Sequence, residues 1–171
     1  MATGANMKPA LLVIDIQNAW LDENKDLRKS VEKRTDVIND AIAWFRRDRR
    51  PIIVIYHEDK KMGVVPGTQP FEFSETIRIE DTDLRITKRY PNAFNKTDLG
   101  AVLQREGCDA VVIIGLSASG CALATCLGAN DHDLCAFLVK DGVASHSEDH
   151  VRFAEEICDT LSVRAFDKTL R

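Results

Sequence analysis

No run of apolar residues in this sequence comes near the roughly 20 that a membrane-spanning helix requires, so a membrane partner is not expected. The G-x-G-x-x-G and P-loop patterns are both missing, which closes the usual backbone routes to a dinucleotide or a nucleoside triphosphate. Positive charge is not in excess: 23 Lys and Arg stand against 27 Asp and Glu, for a net charge of −4. A nucleic-acid partner needs a concentrated basic face, and none is evident. There is no C-x-x-C spacing and no secretory signal, and the five cysteines are odd in number. Reduced thiols in a cytoplasmic setting are therefore expected, not a disulfide scaffold. Repeats, low-complexity stretches and linkers are also lacking. Residues 1–8 read as a short polar leader without the apolar core of a signal peptide. Residues 9–171 read as one domain, because a chain of this size buries about 70% of its unfolded surface in one core and leaves no room for a second.

What the chain does have is a regular alternation of apolar runs and amphipathic segments. Ala10–Ile14 is a continuous apolar run that ends on Asp15 and leads into Gln17, Asn18 and Trp20. Such a run suits a strand covered on both faces, as in a parallel sheet. From 30 to 47, Val31, Ile38, Ile42 and Phe45 recur at helical spacing, with Val37, Ala41 and Trp44 alongside, until Pro51 stops the helix. Ile52–Tyr56 is a second buried strand ending in His57, Glu58 and Asp59. One imidazole and two carboxylates form a thin set of metal ligands, and no metal is expected.

Residues 60–80 have no clear period and contain Gly63, Pro66, Gly67 and Pro70 around Phe71 and Phe73. A loop of that length suggests a lid or pocket wall, with a small helix near 72–77. Leu84–Lys88 is less apolar and suits an edge strand; Thr97 then caps a helix with Leu99, Val102 and Leu103 inward, ended by Gly107. Ala110–Ile114 is a fourth strand, followed by a turn of small residues, Cys121 and a helix-compatible segment. Ala136–Val139 is a fifth strand before Asp141, Ser147–His150 open another helix, and Leu161–Phe166 suggest a sixth strand. The expectation is an α/β fold, a three-layer α/β/α sandwich around a mostly parallel, Rossmann-like sheet of about six strands.

In a parallel sheet the carboxyl ends of the strands share one edge, where ligands bind. Asp15, Lys88 and Cys121 each follow a predicted strand and so converge there. Taken singly, each has a plainer reading: a turn former, a surface charge, a small buried hydrophobe. Together they compose a nucleophilic site. Asp15 would accept the thiol proton, Lys88 would stabilise the thiolate, and Cys121 would attack a carbonyl to form a thioester. The start of a helix at Cys121 should favour the thiolate, and backbone N–H groups at Ser117 and Cys121 could hold the oxyanion. His146 and His150, near a helix start, suit capping or surface roles better than a Cys-His pair.

Three motifs in order make the chain resemble the isochorismatase-like cysteine hydrolases, the superfamily of nicotinamidase, N-carbamoylsarcosine amidohydrolase and ureidoacrylate amidohydrolase. They are Asp15-Ile-Gln17-Asn18-Ala-Trp20; Lys88 ahead of Tyr90, Phe94, Thr97 and Leu99; and Gly115, Cys121 and Thr125 followed by Asp141. The resemblance runs from Leu11 to about Phe166. It implies that Asp15, Lys88 and Cys121 form a catalytic triad, and that a cis peptide at Leu116–Ser117 turns the Ser117 N–H toward the oxyanion. By position on the shared edge, Gln17, Trp20, His57, Phe71 and Phe94 are expected to contact substrate.

The Asp-x-His metal motif of nicotinamidases is absent from Tyr56-His57-Glu58-Asp59. The turn before the nucleophile reads Ala118-Ser119-Gly120, with less side chain than in many relatives. The resulting expectation is a cofactor-free cysteine hydrolase of a small amide, ureido or related acyl compound. The alternatives are vinyl-ether hydrolysis of the isochorismatase type and a non-catalytic scaffold. Relatives pair or form larger rings, so the resemblance also implies a homo-oligomer, a dimer or tetramer.

Overall fold

The computed structural model describes residues 7–171, so most of the polar leader lies outside the described residues. Six strands form a single sheet: β1 (Pro9–Ile14), β2 (Ile52–His57), β3 (Leu84–Lys88), β4 (Ala110–Leu116), β5 (Cys135–Ala144) and β6 (Thr160–Leu161). Their order is β3-β2-β1-β4-β5-β6, and every neighbouring pair is parallel. The helices are α1 (Asn18–Glu23), α2 (Lys25–Arg47), α3 (Leu99–Arg105), α4 (Leu123–Asn130), α5 (Glu148–Ile157) and α6 (Phe166–Thr169). Among the described residues no helix is long and apolar enough to cross a membrane.

Alternation along each strand divides the core in two. Leu11 and Val13 face one side, with Ile38, Phe45 and Phe166. Leu12 and Ile14 face the other, with Leu99, Leu103, Ala122 and Ala154. Because both faces are covered, β1 has no polar position at all, which is why it reads as an unbroken apolar run.

α2 begins five residues earlier than its apolar periodicity suggests. Asn24 caps it, its side-chain oxygen accepting from the N–H groups of Asp26 and Leu27, each at 3.0 Å. A good cap and a surface-exposed first turn carry no hydrophobic period, so pattern alone starts the helix late. The fifth strand also outruns its expected end at Val139: β5 continues to Ala144 through an irregularity in its pairing with β4. At that irregularity Asp141 adopts φ 59° and its N–H donates to Glu155, at 3.1 Å. The expected sixth strand shrinks to Thr160–Leu161, and the following residues turn into a short 3₁₀ segment and α6, which buries Phe166 and Leu170. The small helix expected at 72–77 is instead a single 3₁₀ turn, Gln69–Phe71.

The strand order changes direction between β1 and β4, the point at which an open α/β sheet presents a crevice. β1 and β4 approach closely there. Gly115 has φ +117°, and a Cβ on it would stand 2.1 Å from the carbonyl oxygen of Ile14. Backbone cannot yield to that contact as a side chain can. Gly115→Ala is expected to lose about 3 kcal/mol or more, read as a lowered urea midpoint at unchanged slope.

Candidate active site

Asp15 leaves β1 with φ 56°, a left-handed turn that an aspartate tolerates better than most residues. The turn is pinned by its N–H donating to Ile55, at 3.0 Å, and by its carbonyl accepting from the Gln17 N–H, at 2.7 Å. Lys88, at the end of β3, reaches inward beneath the end of β2 and is 1% exposed. Its Nζ lies 2.8 Å from Asp15 Oδ2, 2.7 Å from His57 Nδ1 and 3.2 Å from Cys121 Sγ. An ammonium has three N–H groups, and here three acceptors surround it. Asp15 Oδ1 is buried and has no hydrogen-bond partner among the described residues.

The backbone kinks at Gly120, φ −117° and ψ −110°, and Cys121 follows that kink directly, where the turn gives way to the helical residues that run into α4. Burial pushes its thiol up to about 12, the negative charge of Asp15 adds to that, and Lys88 opposes it. Burial and the charge of Asp15 therefore oppose the thiolate that a helix N-terminus would favour. Alkylation should follow exposure. At neutral pH iodoacetamide is expected to modify exposed Cys135 well before Cys121, as peptide mass mapping over a time course would record.

The Leu116–Ser117 peptide is cis. The Ser117 carbonyl accepts from the N–H groups of Gly120 and Ala122, at 3.0 and 3.1 Å, while its own N–H has no backbone partner among the described residues. Ser117 and Cys121 line a cavity of about 420 Å³ together with Asp15, Trp20, His57 and His146. Leu27 and Leu116 add apolar wall, and Asp59 adds a carboxylate.

Other expected substrate contacts lie elsewhere. Gln17 is fully buried and its amide is already occupied: Oε1 accepts from the His57 N–H at 2.8 Å, and Nε2 donates to the carbonyls of Phe71 and His57, at 2.9 and 3.2 Å. It holds the end of β2 and does not line the cavity. The Phe71 ring stacks on Tyr56, centroids 4.8 Å apart, within the core. Phe94 lines a second concavity of about 520 Å³ on the helical side, stacked on His132. Strand ends mark an edge of the sheet but not which way each side chain turns, and these three turn away from the cavity that Cys121 lines. Leu27 and His146 were missed as cavity residues, Leu27 because the start of α2 carries no apolar signal.

A family model described as "Isochorismatase domain" matches residues 9–159. The chain belongs to the isochorismatase family. The uncharacterized isochorismatase family protein YddQ of Bacillus subtilis is 31% identical over 159 residues, 88% of this chain and 87% of that protein. Maleamate amidohydrolase of Pseudomonas putida is 32% identical over 88 residues, 51% of this chain and 41% of that enzyme. An isochorismatase-like hydrolase from Alkaliphilus metalliredigens superposes with a TM-score of 0.86 at 24% identity, covering 98% of this chain and 99% of that one. The chain is thus an isochorismatase-family hydrolase, in a family whose members include amidases.

One cluster in this isochorismatase-family site has the composition of a metal site. Asp15, His57 and Cys121 each offer a ligand atom, all within 4.8 Å of one another. The Lys88 ammonium nevertheless contacts all three, at 2.7 to 3.2 Å. A divalent ion there would meet a fixed positive charge in the same space, so the donor set does not fit a metal while Lys88 holds its place.

Proposed function

We propose that this protein is a cysteine amidohydrolase that cleaves a small amide, ureido or related acyl compound through a thioester, with Asp15, Lys88 and Cys121 as its catalytic residues. The observation that carries this reading is the meeting of the three groups: Lys88 Nζ lies 2.8 Å from Asp15 Oδ2 and 3.2 Å from Cys121 Sγ, and the buried Asp15 Oδ1 has no hydrogen-bond partner among the described residues. As Cys121 Sγ attacks the substrate carbonyl, the thiol proton passes to Oδ1. The ammonium of Lys88 keeps Asp15 charged until that moment and meets the negative charge as it moves onto sulfur. The unpartnered Ser117 N–H is available to the tetrahedral oxygen.

Collapse breaks the C–N bond, and the proton on Asp15 leaves with the amine. Water then attacks the thioester and gives a proton to Asp15. When the C–S bond breaks, that proton returns to sulfur, so atoms and charge balance over the cycle. A cavity of about 420 Å³ suits a small molecule. The likeness to maleamate amidohydrolase supports an amide substrate.

The test is a panel of small primary amides and ureido acids, scored for released ammonia, with intact-mass measurement after rapid acid quench. Ammonia release accompanied by an acyl adduct on Cys121 is the expected result. Release that persists in Cys121→Ala would rule out covalent catalysis by that thiol.

A further inference from the structure

The strand order sets a fourth side chain, His57, expected only as a substrate contact, directly against the three read as catalytic. β2 lies between β3 and β1, and the β2–β3 register sets His57 directly opposite Lys88. Lys88 can reach Asp15 only by passing the end of β2, and His57 meets it there with Nδ1 2.7 Å from Nζ. The imidazole is held on two sides. Gln17 fixes its backbone through the N–H and the carbonyl, and Trp20 packs edge-on at 5.8 Å.

Protonation states follow from that contact. Nδ1 also lies 3.7 Å from Asp15 Oδ2 and 3.9 Å from Cys121 Sγ, but the Lys88 nitrogen at 2.7 Å is much the nearest polar atom: an imidazolium would set two cations at that distance, and an Nδ1–H would point a donor at a donor. The contact with Lys88 favours the tautomer with the lone pair on Nδ1 and the ring's one proton on Nε2. Nε2 has no hydrogen-bond partner among the described residues and is not among the buried unpartnered atoms, and the ring lines the cavity beside Cys121.

We propose that His57 is a fourth working residue of this site. Its Nδ1 accepts from Lys88 and keeps the ammonium aligned between Asp15 and Cys121, while Nε2–H donates to an acceptor oxygen of the substrate. Lys88 thereby selects the tautomer that recognises substrate. The partner atom is a carbonyl or carboxylate oxygen, since a substrate N–H facing Nε2–H would be repelled. This extends the amidohydrolase reading and rests on it for the substrate contact alone.

Two measurements test it. Long-range ¹H–¹⁵N correlation of the imidazole at pH 8, in ligand-free protein, is expected to show Nδ1 unprotonated and Nε2 protonated, a preference that weakens in Lys88→Met. Observing Nδ1–H overturns the inference whatever the activity. The second compares two substitutions, each first checked for native circular dichroism. His57→Phe keeps a ring without nitrogens and should lower kcat about 100-fold through misplacement of Lys88. His57→Asn, whose Oδ1 replaces Nδ1 as acceptor, should bring kcat back to within about tenfold of the parent while leaving KM about tenfold higher for want of the Nε2–H donor. Equal losses in kcat and no change in KM for both variants would overturn it. If the parent releases no ammonia yet shows the Nε2–H tautomer, the amidohydrolase reading fails and the lysine–imidazole arrangement stands.

Discussion

Asp15→Asn should remove amide hydrolysis and, in the same protein, make Cys121 easier to alkylate. The two effects have one cause. The charge of Asp15 raises the thiol's pKa, and Lys88 pulls the other way. Neutralising the carboxylate removes the opposition to ionisation and leaves the ammonium 3.2 Å from sulfur. A fall of one unit in thiol pKa multiplies the thiolate about tenfold at neutral pH, and the iodoacetamide rate at Cys121 should rise by about that factor. Turnover moves in the opposite sense because an amide side chain cannot take the thiol proton or return one to the leaving amine. A loss of about 10³-fold in kcat/KM is expected. Stopped assays of ammonia release and timed peptide mapping on the same preparation check both signs. Slower alkylation together with lost activity would mean that the substitution had only disturbed packing.

Lys88→Met is expected to cost more in stability than any surface change. The Asp15–Lys88 pair is almost wholly buried, with side chains 3% and 0% exposed and 2.8 Å between charged atoms. Removing one partner strands the other. Breaking a buried pair in this way destabilises by about 3–5 kcal/mol, because the remaining charge has lost both water and its counterion. Methionine preserves the length and apolar stem of lysine, so cavity formation adds little. The double variant Asp15→Asn/Lys88→Met removes both charges and should recover most of that loss, although it stays inactive. Urea denaturation of the two singles and the double closes the cycle. If the double variant is as unstable as the sum of the singles, the two groups are not coupled as their geometry requires.

Some of the site was legible before any coordinates. Asp15, Lys88 and Cys121 each stand at or beyond the end of a predicted strand, and parallel strands put such positions on one edge, so their convergence needed only the fold class. Cys121 was misjudged in its chemistry, not its place. A helix start was expected to make a thiolate, but burial and the charge of Asp15 beside the sulfur push its thiol the other way. His57 was placed at the rim as a substrate contact. Its bond to Lys88 depends on β2 lying between β3 and β1, an order that no local pattern encodes. Gln17 shows the same limit, because a polar residue next to the site turned out to be a buried clamp on the backbone of His57 and Phe71.

The residues alone therefore determined the α/β class, the parallel sheet and the three chemistry-bearing strand ends, since apolar runs and their spacing report burial directly. Only the tertiary structure decided which way the side chains turn, which carboxylate oxygen is left open, and that an imidazole joins the ammonium. Those outcomes depend on strand order and on distances of a few ångströms between segments far apart in the chain. Hydrophobic periodicity measures how deeply a position is buried; it carries no information about what that position is buried against.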